Sequence, residues 1–316
     1  MCKSKIYMDV FDVAILGGGP AGISAGIYAA RFKLNAVVIS NSLGGTAQSA
    51  HLIENYPGHS AISGFELMQK FKSHMKSFEV PVIEKHVHSA SKENDFFKIK
   101  LSDEEVKARY ILIATGTKRR KLGVPGEARF YGKGVSYCVT CDAFFYRDKT
   151  VAVVGGSDAA NMAAILLSSM AKKVYVIYRK DKLRGELVWI ERVITNPKIE
   201  VLYESNVVEI KGKDFVEGVK LEDGREIPLD GVFVEIGSIP ECCCASDLGI
   251  EINQKGYIQV DSSQKTNVDR VYAAGDVTSG SNGLQQIVTA ASEGAIAIKS
   301  IFDDIERSKV TLWKKD

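Results

Sequence analysis

The same local pattern occurs twice in this chain. "DVAILGGGPAG" at 12–22 and "TVAVVGGSDAA" at 150–160 align without a gap, each an apolar run, a glycine-rich turn and an Ala-rich segment. Two further apolar strands follow each turn, at 35–40 and 108–116 in the first copy and at 173–179 and 230–237 in the second. A strand that ends in a glycine-rich turn and opens a helix is typical of a dinucleotide-binding βαβ unit. The repeat therefore predicts two such units.

A further strand, "RVYAAGDV" at 270–277, precedes a segment whose small and apolar residues recur at helical spacing, 283–302. That helix has no partner of its own nearby, so we expect it to return to the first unit. The prediction is an α/β fold with two Rossmann-like domains, the second inserted into the first. The first domain would comprise 1–118 and 247–316, and the second 119–246.

Composition narrows the function classes. The chain has 316 residues, which suits two domains, and a net charge of +2 without a long single-sign run. Nucleic-acid-binding domains usually carry a basic stripe, so we expect no nucleic-acid partner. The N-terminus lacks the pattern of a signal peptide, and no apolar run reaches the ~20 residues that span a bilayer. We therefore expect a cytoplasmic protein without a membrane partner.

The first turn reads Gly17-x-Gly19-x-x-Gly22. Gly17 would allow the tight turn, Gly19 the approach of a pyrophosphate, and Gly22 close packing of helix on strand. The pyrophosphate would lie at the positive end of the helix dipole. A glycine-rich turn without a ligand is the alternative. Ser40-Asn41 stands where an acidic ribose ligand often occurs, and either side chain could bond a ribose hydroxyl.

The second turn, Gly155-x-Ser157-x-x-Ala160, departs from the pattern because Ser157 adds a side chain where a phosphate would come close. The strand that follows ends in a basic cluster containing Arg179, Lys180 and Arg184. Such a cluster fits the 2′-phosphate of NADP(H) and favours it over NAD(H). A solvated charged turn is the alternative.

Cys138 and Cys141 form a C-x-x-C, which can be half a zinc site, a redox dithiol or a packing pair. Zinc normally requires a second C-x-x-C or a close His pair. All five His residues lie in the first unit, and only His86 and His88 are close to each other. The polar neighbours Thr140 and Asp142 fit a packing pair less well. A redox dithiol requires two close thiols, an acid–base group and an electron source, which this pair, Asp142 and the predicted cofactors supply.

The other cysteines are Cys2 and the run Cys242–Cys244. The run lacks the spacing of metal ligands. We interpret it as a stretch of small apolar residues between the domains, with a second redox or metal role as the alternative.

The order of motifs resembles that of the low-molecular-weight thioredoxin reductases over nearly the whole chain. The motifs are the first glycine-rich turn, "GG" at 44–45, "ENYPG" at 54–58, "ATG" at 114–116, "CVTCD" at 138–142, the second turn, "IGSIP" and "AAGDV". The most specific of them is the C-x-x-C-D between two nucleotide folds. The resemblance implies FAD and NADPH as cofactors, a thioredoxin-like protein as partner, and a homodimer.

The resemblance also implies roles for individual residues. The implied FAD residues are Gly17, Gly19, Pro20, Ala21, Gly22, Ser40, Gly44, Gly45, Asn55, Ala114, Gly116, Asp276, Gln285, Gln286 and Ile287. The implied NADPH residues are Gly155, Gly156, Ser157, Asp158, Ala159, Arg179, Lys180 and Arg184. Thr46-Ala47 replace the family's Gln-Leu, Gln285 replaces its Arg, and Tyr178 replaces its His.

The implied reaction begins with a hydride that passes from NADPH to FAD. Reduced flavin then reduces the Cys138–Cys141 disulfide, with Cys141 facing the flavin, Cys138 attacking the partner disulfide and Asp142 shuttling the proton. A swivel of the inserted domain would let the dithiol meet both, with hinges near 116–120 and 243–250. Alternatives are a different donor (NADH, ferredoxin or another low-potential carrier), a dithiol oxidase that uses oxygen, and a non-catalytic nucleotide-binding module.

Overall fold

The computed structural model of the chain describes residues 10–313, and their side chains as far as residue 308. The expectations for the N-terminal segment and for Cys2 lie outside the described residues.

Seventeen strands occur within residues 10–313. They are β1 (Phe11–Leu16), β2 (Ala36–Ile39), β3 (Val82–Ile83), β4 (Ser89–Glu93), β5 (Phe96–Lys100), β6 (Glu105–Ile113), β7 (Thr117–Arg119), β8 (Val135–Ser136), β9 (Thr150–Val154), β10 (Lys173–Ile177), β11 (Ile199–Leu202), β12 (Val207–Gly212), β13 (Val216–Leu221), β14 (Glu226–Pro228), β15 (Gly231–Val234), β16 (Ser238–Pro240) and β17 (Val271–Ala273).

Seven α-helices occur within the same residues. They are α1 (Pro20–Arg31), α2 (Gly64–Lys76), α3 (Val139–Asp142), α4 (Asp158–Ser168), α5 (Leu187–Ile194), α6 (Ala245–Leu248) and α7 (Ile287–Trp313).

The chain divides into two compact units, Met1–Lys118 with Pro240–Asp316, and Arg119–Ile239. The expected first boundary, after 118, coincides with this division. The expected second boundary, after 246, lies seven residues beyond it. The intervening residues pack in the first unit, where Cys244 belongs to the apolar core of that unit.

The first unit is built on a sheet in the order β3-β2-β1-β6-β5-β4, with β17 also paired to β6. The strands β3, β2, β1, β6 and β17 run parallel. Alternate residues of β1 face two different apolar clusters: Ala14 and Leu16 lie in one, Val13 and Ile15 in the other. The helices α1 and α7 cover the second cluster, so the predicted return of the C-terminal helix to the first domain is confirmed.

The second unit repeats this design on a sheet in the order β11-β10-β9-β15-β8, whose pairs are all parallel. Helices α4 and α5 cover one face. A three-stranded antiparallel sheet, β12-β13-β14, covers the other face. The predicted α/β fold with two Rossmann-like domains, the second inserted into the first, is confirmed. Within the described part of the chain no helix is long and apolar enough to span a membrane.

Candidate cofactor and redox sites

The first glycine-rich turn joins β1 to α1. Gly17 has φ +119, a conformation that favours glycine, and a Cβ there would collide with the Ala114 carbonyl. Gly19 precedes the first residue of α1, and no side chain of residues 10–308 caps the helix. A Cβ added at Gly19 would meet no described atom within 4 Å. Free N–H groups therefore face open space at the positive end of the helix dipole, as a phosphate requires.

The paired glycines 44 and 45 lie against this turn. The Gly44 N–H donates to the Gly18 carbonyl at 2.7 Å. A Cβ on Gly45, which has φ +57, would lie 3.0 Å from the Cα of Gly19. The absence of side chains at 44 and 45 therefore lets the backbone of this loop contact the backbone of the glycine-rich turn.

At the carboxyl ends of β2 and β3, the side chains of Asn41 and His86 meet. Their Nδ2 and Nδ1 atoms are 3.3 Å apart, and the Ser40 hydroxyl donates to the Ser42 carbonyl at 2.8 Å. Sequence reasoning missed His86 as a neighbour of Asn41. The parallel pairing of β2 with β3 brings the two together, and no local pattern in the sequence shows that pairing.

A third group joins loops that are far apart in sequence. The Asn55 side-chain amide donates to Gln286 Oε1 at 3.2 Å, and the Gln285 amide donates to the Asp276 carbonyl at 3.2 Å. Ile287 begins α7 directly after them. The structure therefore brings together Asn55, Asp276 and the Gln pair, although Gln285 has no guanidinium to offer.

Glu293 of α7 holds the loop that carries Asp276, and sequence reasoning missed it. Its buried carboxylate accepts hydrogen bonds from the Gly275 N–H at 2.6 Å and from the hydroxyls of Thr278 and Ser281. Burial, and next the Glu293 charge, raise the pKa of Asp276 to about 6. A single acidic residue in an otherwise small and apolar helix segment was the available signal.

These features fit FAD. The open, uncapped start of α1 suits its pyrophosphate, and the Asp276 carboxylate suits polyol hydroxyls, which would satisfy a half-buried acceptor. Residues of the first unit alone make up this set.

In the second unit the turn between β9 and α4 has a similar backbone. Ser157 precedes the first residue of α4 with φ −110 and ψ −176, extended like Gly19 with φ −77 and ψ −171. The serine therefore costs no backbone strain. Its hydroxyl does not cap α4. That hydroxyl can donate to a phosphate, so the departure from glycine is compatible with a nucleotide.

A cavity of about 430 Å³ lies over this turn, entirely within the second unit. Its wall includes the turn itself, Arg120 and Lys121, and the arginines at 179 and 184. Lys180 and Ala159 are exposed. The ring of the buried Tyr178 packs against Gly156 so closely that a Cβ there would collide with it. A dinucleotide phosphate fits here because the glycine-lined turn, the start of α4 and the basic wall all face the cavity. The guanidinium groups of Arg179 and Arg184 fit a 2′-phosphate.

An ion pair between a buried glutamate and an exposed arginine lies beside this cavity. Glu235 follows β15 and is 6% exposed as a side chain, and Arg119 donates to its Oε2. Burial raises the pKa of Glu235 to about 6, against the lowering effect of the Arg119 charge. Sequence reasoning missed the pair because its members are 116 residues apart.

Cys138 and Cys141 form a disulfide with their Cα atoms 5.3 Å apart. Cys138 precedes the short helix α3, and its N–H donates to the Ser136 hydroxyl at 3.0 Å. Cys141 is exposed, Cys138 is half-buried, and Asp142 follows directly, also half-buried. The pair is therefore accessible, and a carboxylate able to hold a proton follows it in the same helix.

The run Cys242–Cys244 packs in the first unit. Cys244 is buried in the core with φ +64, and Cys242 and Cys243 pack against the same cluster. The Cys242 thiol donates to the Gly256 carbonyl at 3.1 Å. A hydrogen bond between the other two thiols lowers the pKa of Cys243 and raises that of Cys244. This placement matches the interpretation as a small apolar stretch.

Comparison with known proteins agrees with this geometry. Residues 11–294 match the family model "Pyridine nucleotide-disulphide oxidoreductase". The chain is 36% identical to the thioredoxin reductase of Bacillus subtilis over 99% of both chains. Among solved structures, Lactococcus lactis thioredoxin reductase matches with a TM-score of 0.89 and 34% identity, over 93% of this chain and 98% of that one. The T. acidophilum thioredoxin reductase matches with a TM-score of 0.88 and 38% identity, over the same shares.

Proposed function

Because the chain belongs to the pyridine nucleotide-disulphide oxidoreductase family, and within it to the thioredoxin reductases, we propose that it reduces a thioredoxin-like protein disulfide. Its cofactors are FAD and NADPH, those of the family. Gly17, Gly19 and Gly22 would hold FAD, which when bound would supply the hydride and electron-transfer chemistry that links NADPH to the Cys138–Cys141 disulfide. The single observation that carries the proposal is this accessible disulfide, in a chain with two dinucleotide-binding folds.

The dithiol then passes its electrons on by thiol–disulfide exchange. The Cys138 thiolate attacks one sulfur of the partner disulfide, which forms a mixed disulfide and releases the other partner sulfur as a thiolate. The Cys141 thiolate attacks Cys138, which restores the intramolecular disulfide and frees the second partner thiol. Two electrons and two protons leave with the partner dithiol.

Asp142 supplies the proton step of this exchange. Its carboxylate lies on α3 with Cys141, where it can take the proton of one thiol and return it to a departing thiolate. Removal of this carboxylate should slow exchange without altering the binding of either cofactor.

We assign the cofactor residues to the two glycine-rich turns and their neighbours. Gly17, Gly19 and Gly22 would hold the FAD pyrophosphate, with Asp276 and Asn55 toward the flavin end. The turn at 155–157 would hold the NADPH pyrophosphate, and Arg179 and Arg184 its 2′-phosphate.

Movement of the second unit is part of the proposal, since one disulfide must reach both the flavin and a protein partner. The chain passes between units at 118–119 and 239–240. The expected second hinge, 243–250, therefore lies inside the first unit, and we propose the second hinge near 239–240 instead. Gly116 and Gly237, with φ +67 and +91, lie within a few residues of these points and can absorb backbone rotation. A homodimer in the cytoplasm completes the proposal, by analogy with the family.

Anaerobic titration of the purified protein tests the donor. NADPH should bleach the flavin absorbance at lower concentration than NADH. If neither does so while dithionite does, the donor is another low-potential carrier. The basic wall formed by Arg179 and Arg184 supports NADPH over that alternative.

Turnover tests the acceptor. With NADPH, a thioredoxin and a chromogenic disulfide, wild type should turn over, whereas Cys138→Ser should bleach its flavin and fail to reduce thioredoxin. Cys242→Ser is the matched control and should behave as wild type. Oxygen consumption that needs the dithiol and no thioredoxin would indicate a dithiol oxidase instead. Unchanged behaviour of Cys138→Ser in every assay would indicate a non-catalytic nucleotide-binding module.

A further inference from the structure

The basic cluster lies on a loop that is bound to the nucleotide turn. This loop, residues 179–186, is called the arginine loop below. The Arg184 N–H donates to the Gly156 carbonyl at 2.7 Å, and the Glu186 N–H donates to Asp158 Oδ1 at 2.7 Å. A third bond comes from Asn161, whose side-chain amide donates to the Arg184 carbonyl at 3.1 Å.

Asn161 is the least expected of these partners. It lies in the first turns of α4 and is 0% exposed, among the alanines that pack this helix on the sheet. Its Oδ1 atom is buried and has no hydrogen-bond partner within the described residues. A buried amide disfavours folding unless its hydrogen bonds are made. The one bond that Asn161 makes through its side chain among these residues is the bond to the arginine loop.

The hydrogen bond from the Glu186 N–H to Asp158, like the bond from Asn161 a tether of the arginine loop to α4, depends on a glycine. Gly185 has φ +119, and a Cβ there would collide with the Asp158 carboxylate. The loop backbone can therefore approach the start of α4 only without a side chain at 185. Asn161 and Asp158, both on α4, thus fix the loop at the Arg184 carbonyl and at the Glu186 N–H.

These hydrogen bonds fix the backbone at Arg184, one of the two arginines of the loop. Arg179 and Arg184 line the same cavity as residues 155–157, yet both are exposed and long, so nothing in their own packing orders them. Ordering such side chains costs conformational entropy, which falls when the backbone that carries them is already fixed.

We propose that Asn161 is a positioning residue for the 2′-phosphate of NADPH: it holds the arginine loop against the nucleotide turn so that Arg184 and Arg179 meet that phosphate. This inference rests on the proposed use of NADPH. Asn161 touches no part of the dinucleotide itself. NAD⁺ lacks the 2′-phosphate, so its binding depends on the turn and not on the loop.

The test is direct binding of NADP⁺ and of NAD⁺ to the oxidised FAD-loaded protein, measured by calorimetry. Asn161→Leu fills the same volume without the donor, and Gly185→Ala displaces the loop from an exposed position. Each should weaken NADP⁺ binding about tenfold, as expected for the loss of one well-placed charged contact, and leave NAD⁺ binding within about twofold.

Ser168→Ala is the matched control. Ser168 lies seven residues further along the buried face of α4, where its hydroxyl bonds to Ile165 and Asn196 and not to the loop. It should bind both nucleotides as wild type does. Thermal unfolding of all variants shows whether each is folded, and Gly185→Ala supplies the answer if Asn161→Leu is not.

Three results overturn the inference. Equal weakening of NADP⁺ and NAD⁺ in the variants would mean that Asn161 merely supports the turn. Unchanged NADP⁺ binding would mean that the hydrogen bonds to α4 do not determine the position of the arginines at the 2′-phosphate. A wild type that binds NADP⁺ no tighter than NAD⁺ would overturn the donor assignment as well, which distinguishes that failure from failure of the tether alone.

Discussion

At the scale of single residues, three glycines in one motif serve three different purposes. The positive φ of Gly17 permits the turn. A Cβ on Gly22 would collide with the Gly17 carbonyl, so its absence permits the close contact of α1 with the turn. A Cβ on Gly19 would meet no described atom within 4 Å, so nothing in the protein itself requires glycine there. A ligand is the remaining reason for a glycine at 19.

Gly19→Ala and Gly22→Ala should therefore fail in different ways. Gly19→Ala should keep its apoprotein stability within about 0.5 kcal/mol and weaken FAD binding about tenfold or more, because the new methyl group occupies the phosphate approach. Gly22→Ala should lose about 1–3 kcal/mol of stability through overpacking. Thermal unfolding of the apoproteins and FAD titration by flavin fluorescence measure both. Equal effects of the two changes would contradict this division of roles.

Glu235 places a titratable group inside the second unit. Its folded pKa of about 6 lies above the ordinary value of 4.5, so the native state holds a proton that the unfolded chain has already released. Stability from this group is therefore fully present below about pH 4.5 and is lost as pH rises through about 6. The difference corresponds to about 2 kcal/mol.

Glu235→Gln removes this titration. The stability of wild type relative to Glu235→Gln should fall by about 2 kcal/mol between pH 4.5 and pH 7. Urea unfolding followed by tryptophan fluorescence reports on the second unit through Trp189. The chain's other tryptophan, Trp313, belongs to the segment 240–316 of the first unit. A difference between the two proteins that does not change with pH would show that Glu235 has an ordinary pKa.

At the scale of elements, α7 does more than cover the sheet. Gly294 lets it approach α1, since a Cβ there would collide with the Ala21 carbonyl. One residue earlier, Glu293 binds the loop that carries Asp276. Consecutive residues of this helix therefore close the core and hold the loop at the flavin end of the predicted FAD site.

Glu293→Gln should loosen that loop. An amide has one acceptor oxygen where the carboxylate has two, so some of the bonds from Gly275, Thr278 and Ser281 are lost at a buried site. We expect a loss of about 1–3 kcal/mol and a lower flavin content after purification. Lys299→Ala, which removes an exposed ion pair with Asp303 on the same helix, should change stability by less than about 0.5 kcal/mol. Full flavin retention by Glu293→Gln would argue against this role.

At the scale of the whole molecule, each compact unit closes its own core. The two apolar clusters of the second unit contain residues between 122 and 236, and those of the first unit contain none of these. Each of these clusters of described residues is therefore formed within one unit, which is the physical condition for independent folding.

The segment 119–239 produced alone should fold cooperatively and bind NADP⁺ within about threefold of the full chain, with no bound FAD. Circular dichroism during heating and calorimetric titration with NADP⁺ check this. A segment that remains unfolded, while the full chain folds, would show that the first unit is needed to complete its core.

The predictions that succeeded from sequence rest on local order. The repeat of strand, glycine turn and helix is written in consecutive residues, so the two folds, the insertion and the place of the C-x-x-C could be predicted without coordinates. The expected second boundary at 246 differs from the division at 239–240, because the cysteine run packs into the first unit, a tertiary contact that composition does not encode.

The sequence by itself determined which segments become the two nucleotide-binding folds, because helical and strand periodicity and glycine-dependent turns depend on neighbours a few residues apart. Only the tertiary structure decided which side chains, distant in sequence, meet at the sites of these two folds. Glu235 with Arg119, Asn55 with Gln286, and Asn161 with the arginine loop are separated by 23 to 231 residues. Their meeting depends on strand order and helix packing, which bring together residues that no local pattern connects.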